Sequence, residues 1–294
     1  MDSIELEQQQ KRNKTELVLS NIYDLPSMPK PLQDALENLN ASVVSIPALT
    51  SIISKDQGLV TKILTLANSP LYGLQRKVTS IDFAVMVLGI NELRNIILVL
   101  SLVESFKNKT DRYLDHKEFW LHSYLTGCAS KRIAEDLDFP NDGEAFVAGF
   151  LHDMGISIIH KYFHSRFIEI FDLAAKNNIG FINAEYEVLG MNHQQIGGNL
   201  AERWNFPQIL YEAILNHHVP SAASLNKVLP SIIHLADYMT INLQVGNSYW
   251  DKDIELNYSD MEILRFRTEE EVNRFIQNYK DLFVHQAKSV RYLS

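Results

Sequence analysis

From Leu17 onward the apolar residues recur at the three- and four-residue spacing of one helix face, and no segment shows the sustained alternation of a half-buried strand. Leu32, Ala35, Leu36 and Leu39 give one such face after the proline-punctuated LPSMPKP. A helix over 45–56 opens at Pro47, where a missing N–H costs nothing, and another is predicted over 57–68. Ser80 is placed to cap the next helix, with Asp82 in its first turn. Helical spacing then predicts elements near 117–137, 144–163, 166–178, 183–204, 207–218 and 228–243. The stretch 244–260, QVGNSYWDKDIELNYSD, is the one long irregular segment before a final amphipathic helix carrying EEEVNRFIQNYKDLF. The expected fold is all-α, in two packed helical lobes.

Residues 1–14 are polar and Gln-rich and are expected to form a frayed terminus or a loosely docked helix. Residues 15–110 form the first expected lobe and 111–243 the second, with 244–294 as the irregular segment and closing helix. The boundary falls around KNKTDRYLDHK, residues 107–117, where apolar content drops and charge rises.

Composition narrows the class. In 294 residues, 46% apolar and 21% charged side chains suffice for a sizeable core, and 12 Gly with 9 Pro are too few for a many-turned all-β design. A net charge of −9 disfavours a general nucleic-acid coat or a polybasic membrane anchor. Residues 15–110 hold eight Lys/Arg and eight Asp/Glu. ALTSIISKDQGLVTKILTLAN can be drawn as helix-turn-helix about Gly58, but a neutral lobe is not expected to bind DNA. The lone Cys128 excludes a disulfide framework or multi-Cys zinc ribbon. MDSIELEQQQKR lacks the apolar stretch of a secretion signal, and Asn91, Glu92, Arg94 and Asn95 interrupt the apolar run 83–106. A cytoplasmic protein with no membrane partner is expected.

All ten histidines lie at or beyond His116. His152 and Asp153 stand side by side in FLHDMG, read here as part of an apolar helix, where adjacent side chains diverge by about 100° and need partners from other helices to share an ion. Glu118 and His122 are four apart on one face. His193 opens an amphipathic helix, His217 and His218 end the one begun at Pro207, and Asp237 lies in the apolar run IIHLAD. A carboxylate so surrounded requires a cation or several donors. The dipole at a helix end also accounts for His217 and His218, an arginine for Asp237, and ordinary core or surface roles for His116, His160, His164, His234 and His285.

The order Glu118, His122, His152-Asp153, His193, His217-His218, Asp237 resembles the ligand order of the HD superfamily of metal-dependent phosphohydrolases. The flanking LPSMPKPLQDALENL, ISKDQGLVTKILTLANSPLYG, VTSIDFAVMVLGINELRNIIL, EAFVAGFLHDMG and HQQIGGNLAERWNFPQILYEAILNHH resemble the HDOD domain, an HD-related output module of bacterial signalling proteins, over roughly residues 20–240. The resemblance implies that the second lobe is an HD-like helical bundle. It also implies a basic metal set of His122, His152, Asp153 and Asp237, which Glu118, His193, His217 and His218 extend. One or two divalent transition-metal ions are then expected, with nitrogen and oxygen ligands suiting Fe, Mn, Ni or Zn.

Two departures bear on activity. Related cyclic-dinucleotide phosphodiesterases have a Lys where this chain has Ile156, and an acidic residue with a Gly-Tyr-Pro run where it has Val219-Pro220-Ser221. Both remove polar groups expected near a substrate phosphate. The resemblance therefore implies a signal-transduction module with a retained metal site and a signalling protein as partner. The alternative is a metal-dependent phosphohydrolase acting on a nucleotide or cyclic nucleotide by activated water.

Overall fold

The computed structural model describes residues 3–22, 57–68, 74, 76–90, 110–139, 142–244, 248–281 and 283, with isolated positions between 93 and 106. The helices expected over 32–39 and 45–56 lie outside these residues. Every regular element described is helical, as the spacing predicts. In chain order they are α1 (Ser3–Asn21), α2 (Gln57–Ala67), α3 (Ile81–Leu88), α4 (His116–Asp136), α5 (Asp142–Leu151), α6 (Met154–Tyr162), α7 (His164–Asn177), α8 (Phe181–Leu189), α9 (His193–Arg203), α10 (Gln208–Leu215), α11 (Val228–Asn242), α12 (Tyr258–Ile263) and α13 (Glu269–Asn278). Single 3-10 turns occupy Pro220–Ala222 and Tyr249–Asp251.

The ends of these helices are written locally. Ser80 accepts the Phe83 N–H at the start of α3, with Asp82 in the first turn. Asp115 accepts the Lys117 N–H ahead of α4. At α9, Asn192 and Gln195 form a reciprocal capping box that fixes where His193 begins the helix.

Two predicted long helices are each broken in two. The segment expected at 183–204 stops at Leu189, because Gly190 adopts φ +69° and Met191-Asn192 lead into a new cap. The segment expected at 144–163 breaks at His152 and Asp153, which form a two-residue turn between α5 and α6. Reading these two residues as helical is therefore corrected. The turn removes the helical divergence between neighbouring side chains and lets both enter one cavity.

The N-terminal segment takes the helical one of its two expected forms. Residues 3–21 form one continuous helix, docked rather than frayed. Thr15 Oγ1 donates to the Leu189 carbonyl at 2.7 Å, and the Arg203 guanidinium donates to the Leu19 carbonyl at 2.7 Å. α1 thus packs on α8 and is tied to the end of α9, the helix that His193 opens.

The larger hydrophobic core runs from Leu19 to Phe283 and includes Ile63, Leu66, Leu93 and Ile96 from the first half of the chain, and a smaller cluster joins Ala67, Val78 and Ala84. Phe106 is buried between Trp120 of α4 and Trp204 after α9, with ring centroids 6.1 and 5.8 Å away. Trp120 stacks on Phe150 of α5 at 5.5 Å. α11 lies across both α4 and α5, and α6 packs against α9. Gly155 sets the second approach, since a Cβ there would overlap the His193 carbonyl. Among the described residues no helix is long and apolar enough to cross a membrane.

Candidate metal centre

Seven of the eight expected ligands converge. His122 comes from α4, His152 and Asp153 from the α5–α6 turn, His193 from the start of α9, His217 and His218 from the turn after α10, and Asp237 from α11. His122, His152, Asp153, His193, His217 and Asp237 are each 0% exposed. Ligand atoms of Asp153, His193, His217 and His218 lie within 4.8 Å of one another, as do those of His122, His152, Asp153 and Asp251, and of His218, Asp237 and Asp251. The shared Asp153 links the first two groupings. Glu118 joins none of these groupings. It sits half-buried in the first turn of α4, one turn before His122.

Four of the five imidazoles have a partner on the outer nitrogen, whereas His218 Nδ1 is buried without one. His152 Nδ1 donates to the Gly149 carbonyl at 2.7 Å, and His217 Nδ1 to the Ile214 carbonyl at 2.7 Å. A carbonyl can only accept, so both rings carry the proton on Nδ1 and aim Nε2 inward. His193 Nδ1 lies 2.8 Å from Glu185 Oε2, which also accepts the His193 backbone N–H at 2.9 Å. Thr240 Oγ1 stands 3.3 Å from His122 Nδ1. Such outer contacts fix tautomer and orientation in metal-binding histidines.

The inner atoms are close but poorly aligned for hydrogen bonding. His122 Nε2 is 3.2 Å from Asp237 Oδ1 and 3.4 Å from Asp153 Oδ2, and His217 Nε2 is 3.6 Å from Asp153 Oδ1. His122 Nε2, His152 Nε2, His217 Nε2, Asp153 Oδ1 and both Asp237 oxygens are buried with no hydrogen-bond partner. Donor atoms that face one another without pairing are arranged as they would be around a cation.

The electrostatics agree with that arrangement. Burial works against charge on His152, but Asp153 and Asp237 prevail and push it up to about 10. Burial likewise opposes charge on His122, and Asp153 with Asp237 raise it nonetheless. His217 is held down at about 4 and His218 well below the usual imidazole value, chiefly by burial. Burial opposes ionisation of Asp153 and Asp237, yet the neighbouring histidines hold both carboxyls below the usual range. The carboxylates around the centre thus favour the protonated forms of His122, His152 and His193. Nitrogen and oxygen donors of this kind fit a divalent transition metal in place of those protons.

Sequence reasoning missed three contributors. Asp251, in the 3-10 turn Tyr249–Asp251, is buried with its Oδ1 3.1 Å from His218 Nε2, and neither carboxylate oxygen has a hydrogen-bond partner. Burial, with Asp153 and Asp237 nearby, pushes its carboxyl well up. Trp250 Nε1 donates to Asp153 Oδ2 at 2.6 Å. Both belong to the stretch read as irregular, where the adjacent aromatic pair Tyr249-Trp250 is the available sign of burial. Glu185 shows a clearer sign, since it shares the buried face of α8 with Phe181, Ala184 and Leu189.

The helices and the centre together define an all-α protein with a buried histidine–aspartate cluster. The HDOD domain model matches residues 25–220, more than half of the chain, and the chain belongs to the HDOD family. An HDOD domain protein of unknown function from Geobacter sulfurreducens superposes with TM-score 0.83 at 26% identity, covering 97% of this chain and 99% of that one. A candidate phosphohydrolase from Shewanella amazonensis SB2B shares the fold, with TM-score 0.71 at 23% identity over 93% of this chain and 97% of that one. An uncharacterized protein of Treponema pallidum (strain Nichols) is 27% identical over 271 residues, 90% of this chain and 51% of its own length. The chain thus spans about half the length of that relative. Asp237 and Asp251 both lie beyond the family-matched residues.

Proposed function

We propose that this chain is an HDOD-type regulatory module of signal transduction whose buried centre holds one or two divalent transition-metal ions. His122, His152, Asp153, His193, His217, His218 and Asp237 are the proposed ligands, with Asp251 added from the 3-10 turn. Fe, Mn, Ni and Zn all suit this donor set. The metal serves a structural or sensing role, and a signalling protein reads the helical surface.

The observation that carries this reading is closure. The inward-facing ligands are sealed from solvent, and Trp250 and Asp251 lie across them at 3% and 2% exposure. A hydrolase needs a face on which substrate meets the ion. The position expected to hold a phosphate-binding Lys is Ile156, fully buried and apolar, and Val219 points its side chain to solvent beyond the paired histidines.

The completeness of the donor set favours a second reading, a metal-dependent phosphohydrolase acting on a nucleotide or cyclic nucleotide. A divalent ion bound here would supply Lewis acidity toward a phosphoryl oxygen. The Tyr249–Asp251 turn would then have to swing away to admit substrate. DNA is not a proposed partner, because the first-lobe sequence is charge-neutral.

The separating experiment is an activity screen of the metal-loaded protein with cyclic dinucleotides and an aryl phosphodiester, in Mn2+ or Fe2+. The module reading expects no turnover above the metal alone. Robust hydrolysis that disappears in His152→Ala establishes the enzyme instead.

A further inference from the structure

A second group of metal-ligating side chains stands apart from the buried centre and shares no residue with it. Asp111 lies in the loop before α4. Its Oδ1 accepts the backbone N–H groups of Tyr113 at 2.7 Å and Leu114 at 2.9 Å, which fixes the carboxylate. The other oxygen, Oδ2, is 3.1 Å from His160 Nε2 at the end of α6 and 3.5 Å from His164 Nε2 at the start of α7. These three ligand atoms lie within 4.8 Å of one another.

His160 is itself oriented from behind. Its Nδ1 is 3.2 Å from Nε2 of the buried His116. With the shared proton on His160 Nδ1, its Nε2 lone pair faces Asp111 Oδ2, which is the orientation a metal ligand needs. Burial, with His160 adjacent, holds His116 at about 4, and burial also depresses His160 despite Asp111.

The group is accessible where the central one is sealed. The His164 side chain is 49% exposed and that of Asp111 28%. Asp111 also lines a cavity of about 400 Å³ together with Arg112, Tyr113, Tyr249 and Lys252. Two imidazoles and one carboxylate, left open to solvent by the exposed His164, are the donor set of a transition metal that keeps further positions for water or a small ligand. Mg2+ and Ca2+ prefer oxygen donors throughout, so a borderline dication such as Zn2+ is the matching ion.

We infer that Asp111, His160 and His164 form a second, solvent-accessible transition-metal site, distinct from the buried centre and suited to Zn2+. An ion there pins the α6–α7 elbow to the loop that leads into α4, the helix carrying His122. Tyr249, next to Trp250 and Asp251, donates its hydroxyl to the Tyr113 carbonyl in the same loop, so the second site borders the turn that closes the first.

The test uses the full chain with its purified metal left in place, dialysed against zinc-buffered solution and analysed for bound metal. The wild type is expected to take up about one further Zn2+ per chain. His164→Ala, which alters a half-exposed side chain, is expected to lose that ion and keep the metal it was purified with. Asp111→Asn is expected to behave likewise, since its amide oxygen can still accept the two backbone N–H groups while the charge is gone. If the wild type binds no extra Zn2+, or either folded variant binds as much as the wild type, the second site does not exist.

Discussion

Trp250 Nε1 donates a 2.6 Å hydrogen bond to Asp153 Oδ2, joining a residue of the late, loop-like stretch to the carboxylate at the middle of the buried cluster. The contact spans 97 positions of sequence and closes the centre. It also occupies one of the two oxygens through which Asp153 could bind an ion, leaving Oδ1 facing His193 and His217.

Trp250→Phe keeps an aromatic ring in place and removes only the donor. Leaving Asp153 Oδ2 buried without that hydrogen bond is expected to cost about 1–3 kcal/mol. The urea midpoint reads this cost, and metal should be lost faster to a chelator. A variant matching the wild type in both would show that the bond holds nothing in place.

Gly155→Ala probes the close approach of α6 to α9. The added methyl meets the His193 carbonyl, so a helix has to shift, and overpacking of this kind costs typically ~1–3 kcal/mol. Because His193 moves with that backbone, metal content should fall together with the denaturation midpoint. An unchanged midpoint would contradict the close packing of the two helices.

His116 supplies a pH dependence with a defined sign. Burial, then the neighbouring His160, lowers its pKa from 6.5 to about 4. Between those values the unfolded chain binds more protons than the folded one, so stability rises with pH there. The contribution is fully present above pH 6.5 and is lost as pH falls toward 4. Urea midpoints from pH 7 to pH 4 should drop more steeply in the wild type than in His116→Phe. Parallel profiles would mean that His116 is not held neutral.

Much of the site was legible because helices place their residues by spacing and because the ligand order resembled a known family. His122, His193 and Asp237 sit on or at the start of helices where periodicity put them. Periodicity could not show that the helix through His152 and Asp153 breaks, since the apolar pattern continues on both sides and no Pro or Gly stands at the break itself. The cue is Gly155 two residues later, whose role depends on a helix arriving from elsewhere.

Asp251 was hidden for a different reason. Its segment is polar, and burial there arises from tertiary contact with His218 and the aromatic rings around Trp250. Glu118 shows the converse: the four-residue spacing to His122 is real, yet Glu118 is in none of the ligand groupings that His122 and its neighbours form. A one-dimensional pattern fixes which residues share a helix face and leaves open which helices meet it.

Elemental analysis of the chain purified without added metal bears most directly on the buried centre. About one or two transition-metal ions per chain are expected, since the donor groupings can serve up to two ions. Asp153→Ala should bring that content down sharply, because its carboxylate is common to the two main groupings. A wild-type protein free of transition metal, or an Asp153→Ala variant with its metal content intact, would contradict the assignment of this cluster as a metal centre.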